Sequence, residues 1–130
     1  MDFFNELATV IKGWNQDPIE DELLFVNFRC QFIDNMTCQE AFERINQTVE
    51  ILLRESDEFT SLEILEVIIS LARKSETTEI PAKIENCSKK IEYKFAPYGE
   101  YAKCRLSELL RYYRISKSHL YFSDFLLMRT

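Results

Sequence analysis

The sequence predicts an all-α fold, a compact single-domain bundle of five to seven helices with little or no sheet. Three observations carry that prediction. Helix-start signatures stand at Asp17, Thr37 and Thr60, where a side-chain oxygen can accept from the open backbone N–H groups of a first turn. Apolar residues recur at spacings of three and four along most of the chain. Only two Gly and three Pro interrupt the 130 residues, too few for the tight turns of a β-sandwich or barrel.

The elements follow in order. Asp2 can cap a first helix to about Lys12, with Phe3, Phe4, Leu7, Val10 and Ile11 on one side and Gly13 as its terminator. Asp17, Pro18 and Glu20 then open a second helix carrying Leu24, Phe25, Phe28, Phe32 and Ile33. Thr37 and Glu40 form a capping box for a helix through Phe42, Ile45, Val49, Leu52 and Leu53. Thr60 and Glu63 repeat that signature before Leu62, Leu65, Val67, Ile68, Ile69 and Leu71. This last helix is apolar nearly all round, which places it at the centre of the bundle. A polar loop fills 75–81. Residues 84–95 read as a helix, with a strand over 90–95 as the alternative. Pro97 starts a helix with Tyr101, Leu106, Leu109, Leu110 and Tyr113, and 118–128 form a last one. The expected core is Phe28, Phe32, Phe42, Ile45, Leu65, Ile68, Ile69, Leu109 and Leu110.

Charge is distributed unevenly. Residues 1–66 hold fifteen Asp/Glu and four Lys/Arg, a net of −11, whereas residues 67–130 carry +5. The densest acidic patches are Asp17, Glu20, Asp21 and Glu22, and then Glu55, Asp57 and Glu58. Carboxylates at a helix start are favoured by the helix dipole, so a structural reading is open. The functional reading is a surface that docks a basic protein by field complementarity. The basic half, with Lys89, Lys90, Lys94, Lys103, Arg105, Arg111 and Arg114 around Tyr112 and Tyr113, raises nucleic-acid binding. No long basic run supports it, the overall pI is about 4.9, and pairing with the acidic half is simpler.

Catalytic parts are scarce. His119 is the only histidine, so any Ser-His or Cys-His site would have to use it, and no Gly-rich oxyanion loop lies near Ser118 or Ser123. Glu40 and Glu43 read as exposed. Cys30, Cys38, Cys87 and Cys104 contain no Cys-x-x-Cys pair and suggest reduced thiols buried in the core of a cytoplasmic protein. Asp2 and Glu6 sit where a signal peptide would be basic, and no apolar run is long enough to span a bilayer. The expectation is a non-enzyme with no metal site, no cofactor, no small-molecule substrate, and no direct contact with nucleic acid or membrane.

An acidic helical chain of this size, with Asp/Glu-dense helix starts, many Phe and no catalytic constellation, resembles the immunity proteins of bacterial toxin systems. These include the contact-dependent growth inhibition and colicin-type ribonuclease immunity families. The resemblance implies tight binding of one cognate toxin domain, often over its active site, and a basic nuclease would match the acidic half. Asp17, Glu20, Asp21, Glu22, Glu55, Asp57 and Glu58 are the expected partner-binding residues. The alternative is an acidic adaptor or nucleic-acid mimic that inhibits a nucleic-acid-binding protein.

Overall fold

The computed structural model describes residues 2–16 and 23–115. Within them the chain forms six α-helices and no strand. These are α1 (Phe3–Gln16), α2 (Leu24–Phe28), α3 (Cys38–Arg54), α4 (Glu58–Ser75), α5 (Ala82–Phe95) and α6 (Glu100–Tyr112), and a π-helical turn, Arg29–Ile33, continues α2. The strand alternative at 90–95 is thereby excluded. The start signature at Asp17, the expected helix over 118–128 and His119 lie outside the described residues.

Long-range contacts fix the topology. The Arg44 guanidinium sits 5.7 Å from the centre of the Phe3 ring, and Asn15 shares a groove with Arg54 and Glu55, so α1 and α3 run the same way. The Lys83 N–H donates to the Asn46 side chain and the Lys94 ammonium to the Glu55 carbonyl, so α5 runs with them. Arg105 holds Glu66, and Tyr112 reaches the Ala72 carbonyl, so α6 parallels α4. Arg29 pairs with Glu63, and the Asp34 carbonyl accepts from Lys74, which sets α2 and its π turn along α4 as well. The helices therefore alternate up and down, as short connections favour. At the upper end α1, α3 and α5 finish and α2, α4 and α6 begin.

The middle helix is α4, as its composition predicts. Ile64, Leu65, Val67, Ile68, Ile69, Leu71 and Ala72 are all buried. Around them pack Phe3 and Leu7 of α1, Phe25 and Phe28 of α2, Ile45, Val49 and Leu52 of α3, Ile84, Ile91 and Phe95 of α5, and Leu106, Leu109 and Leu110 of α6.

Several expectations are corrected. Gly13 does not end α1. Its φ is negative, and the helix passes through it to Gln16, with Leu24 packed beside it. In the second segment Ile33, not Phe32, is fully buried, because the π turn adds one residue and rotates Ile33 onto the face of Phe28. In α3 the inward stripe is Ala41, Ile45, Thr48, Val49 and Leu52, and Phe42 lies half-buried at its edge. Helix α6 begins after Gly99 and not at Pro97, which stays in the preceding turn. Its buried stripe starts at Ala102 and leaves Tyr101 outside. Of the four cysteines, all free, only Cys87 is buried, while Cys30, Cys38 and Cys104 are exposed.

The Thr37 box forms as predicted. The Glu40 N–H donates to the Thr37 hydroxyl, and the Thr37 N–H donates to the Glu40 carboxylate. The backbone N–H and hydroxyl of Thr37 hold the Glu40 carboxyl below its ordinary value, so Glu40 is not a spare surface charge. The box expected at Thr60 is displaced by one turn, and its true N-cap is Asp57.

Candidate docking end of the bundle

The upper end holds Glu55, Asp57 and Glu58, the expected partner-binding residues that lie within the described residues. Residues 55–57 join α3 to α4, and each carboxylate there has a different task. Glu55 turns back on the loop, accepting from the N–H groups of Ser56 at 3.1 Å and Asp57 at 3.0 Å. Asp57 caps α4, accepting from the Thr60 N–H at 2.8 Å. The buried Thr60 hydroxyl lies 2.9 Å from the same Asp57 oxygen and 2.5 Å from Asn15 Oδ1, which ties the end of α1 to the start of α4. A hydroxyl has one proton, so it serves one of these acceptors at a time. Glu58 sits half-buried in the first turn of α4, where the helix dipole favours it, and its carboxylate makes no hydrogen bond or ion pair within the described residues. Asp17, Glu20, Asp21 and Glu22 lie outside the described residues.

Beside the loop runs an open groove of about 530 Å³ between α1 and α3. It is lined by Ala8, Ile11 and Ile51 with Lys12, Asn15, Arg54 and Glu55, so its charge is mixed.

Five of the ten described cations of the second half are engaged. Arg105 donates to both Glu66 oxygens and to Glu108, which also holds Arg73. The hydrogen bonds from Arg105 to Glu66 raise the guanidinium's pKa further above its already high value. Lys83 pairs with Glu50 at 3.0 Å, and that hydrogen bond raises its pKa. Lys94 is bound to the Glu55 carbonyl. Arg111 and Arg114 do not share a helical face, because α6 ends at Tyr112 and Arg114 turns into the left-handed region at φ 58°. Tyr112 is half-buried, its hydroxyl shared between the Ala72 and Thr77 carbonyls. Tyr113 is buried, and burial pushes its phenol above the usual range.

Sequence reasoning missed the exposed aromatics of this end. Phe59 in the first turn of α4 is 68% exposed, and Tyr101 in the first turn of α6 is 67% exposed. Tyr93, near the end of α5, is 66% exposed. A signal was available. Phe59 shares its helical face with Glu63 and Glu66, not with Leu65 and Ile68. Tyr101 is five residues from Leu106, whereas Ala102 fits the four-residue step.

Among the described residues no group of three or more His, Cys, Asp or Glu is arranged to hold a metal, and no helix is long and apolar enough to cross a membrane. In comparison with known proteins the chain matches no family model, no curated protein and no solved structure.

Proposed function

We propose that this chain is a protein-binding protein of the toxin-neutralising kind, which docks a basic domain, such as a nuclease, on its upper end. One observation carries the reading. Two large exposed aromatic rings, Phe59 and Tyr101, stand where α4 and α6 begin, at the end that carries the acidic loop of Glu55, Asp57 and Glu58, while Arg73, Lys83 and Arg105 of the basic half are paired inside the molecule. Uncompensated carboxylates attract a basic surface and speed its capture. Exposed rings supply the area that holds it. Of the seven cations behind the nucleic-acid reading, Arg105 and Lys94 already have acceptors inside the molecule.

The test is capture from the native cell at low and high salt, followed by co-expression. The expected result is one basic protein, released by salt, whose toxicity disappears when the two are expressed together. An acidic or salt-insensitive partner, or a basic one whose effect on cells is unchanged, contradicts the proposal.

A further inference from the structure

We propose that the groove between α1 and α3 is a docking site for an amphipathic helix of a protein partner, one whose apolar edge is bordered by carboxylates. The site is separate from the docking of a basic domain, and neither stands or falls with the other. The two helices are pinned at the lower end, where Arg44 covers the Phe3 ring. Over their upper halves they leave a cleft of about 530 Å³. On α1 it is lined by Ala8, Ile11, Lys12 and Asn15, whose steps of three and four keep them on one face. On α3 it is lined by Ile51, Arg54 and Glu55, which repeat those steps. Ile11 and Ile51 are half-buried and pack against the core, so they form an apolar floor. Ala8 is exposed and too small to fill the space above that floor.

Charge decides the chemistry of the occupant. Lys12 and Arg54 are both exposed at this cleft, and neither has a carboxylate within ion-pair distance among the described residues. Arg54 donates only to the Glu50 carbonyl, at 3.4 Å, while the Glu50 carboxylate is held by Lys83. Glu55 is the one acidic lining residue, and its carboxylate is turned onto the Ser56 and Asp57 N–H groups instead. Two like charges beside an apolar floor repel each other, and an incoming carboxylate relieves that repulsion. Shape decides the size of the occupant. The α1 row from Ala8 to Asn15 is about 10 Å long at 1.5 Å per residue, close to two turns of a guest helix. Ligand pockets bury most of a small molecule's surface, which an open cleft does not. A helix laid between two others needs only one apolar edge covered, with anchors at i, i+3 or i+4 and i+7. Its flanking Asp or Glu then meet Lys12 from α1 and Arg54 from α3.

The probe is a short capped helical peptide with Leu at those steps and Glu on either side of them. Its counterparts carry Lys in place of Glu, or the same residues in scrambled order, and decanoate serves as a small anionic amphiphile. Each is titrated at low salt into protein with labelled Ala and Ile methyl groups. The Glu peptide should shift the methyl resonances of Ala8, Ile11 and Ile51 first, and the other three probes should bind far more weakly. Lys12→Ala and Arg54→Ala should each weaken the Glu peptide about two- to fivefold, as for one exposed ion pair. Reversing both, Lys12→Glu with Arg54→Glu, should exchange the preference, so that the Lys peptide binds better than the Glu peptide. Ala8→Trp fills the cleft and should block the Glu peptide, while unfolding like wild type because Ala8 is exposed. The proposal is overturned if the Glu peptide does not bind or its shifts fall elsewhere. It is also overturned if decanoate or the Lys peptide binds wild type as tightly, or if the doubly reversed variant keeps the original preference.

Discussion

Replacing Asp57 by Ala separates the structural from the binding role of the acidic loop. The change removes the acceptor for the Thr60 N–H at 2.8 Å and one of two acceptors near the Thr60 hydroxyl. Losing an N-cap side chain costs about 0.5–2 kcal/mol. Removing a negative charge from a helix start adds about 0.3–1 kcal/mol. The buried hydroxyl keeps Asn15, so no further penalty for an orphaned group is due. The expected loss is therefore about 1–3 kcal/mol. Glu58→Ala loses only the dipole contribution, at most about 1 kcal/mol. Urea unfolding of the two variants side by side measures the difference. If Asp57→Ala unfolds within about 0.5 kcal/mol of wild type, or if Glu58→Ala is the more damaging, the assignment of the cap is wrong. It follows that a charge reversal at Asp57 is a poorer probe of binding than one at Glu58, which loses no cap.

Further outcomes can be checked with standard methods. Ile68→Ala should cost about 2–5 kcal/mol in urea, because Ile68 is fully buried in α4. Phe42→Ala should cost less than Ile68→Ala, because Phe42 is only half-buried, and a larger loss would return it to the core. Under native conditions a thiol reagent should modify Cys30, Cys38 and Cys104 quickly and Cys87 only on unfolding, and rapid reaction of all four would contradict its burial. Glu63 supplies a pH test. Burial holds its carboxyl above the ordinary value of 4.5, against the pull of Arg29 and with repulsion from Glu66. A carboxyl raised in the folded state contributes stability that is full below its unfolded pKa and is lost as pH rises through the folded one. Glu63→Gln does not titrate, so it should gain on wild type in urea between about pH 4 and pH 7, and a relative loss over that range would reverse the sign.

The helical class and the central place of α4 were legible because periodicity and caps are local signals. The details that failed were set by tertiary packing. Gly13 reads as a stop in isolation, yet α1 continues through it, packed against Leu24. Thr60 and Asp57 are both good caps by residue type. The choice fell to Asp57, which leaves the Thr60 hydroxyl free to reach Asn15, a residue 45 positions away. The π turn that swaps Ile33 for Phe32 depends on how α2 lies along α4. Of the candidate site, Glu55, Asp57 and Glu58 could be read from charge density alone. Their unequal tasks could not, and neither could the placing of Phe59 and Tyr101 at one end, which requires knowing that α4 and α6 run parallel.

The association rate of the captured partner with Glu58→Lys tests the central claim most directly, with Glu85→Lys, at the start of α5 on the opposite end of the bundle, as the control. Exposed charges act mainly on capture and are screened over about 8 Å at physiological ionic strength. Glu58→Lys should therefore slow association several-fold at low salt, with the difference shrinking as salt is added, while Glu85→Lys associates like wild type. Equal rates for Glu58→Lys and wild type, or a larger effect at Glu85, would contradict docking at the upper end.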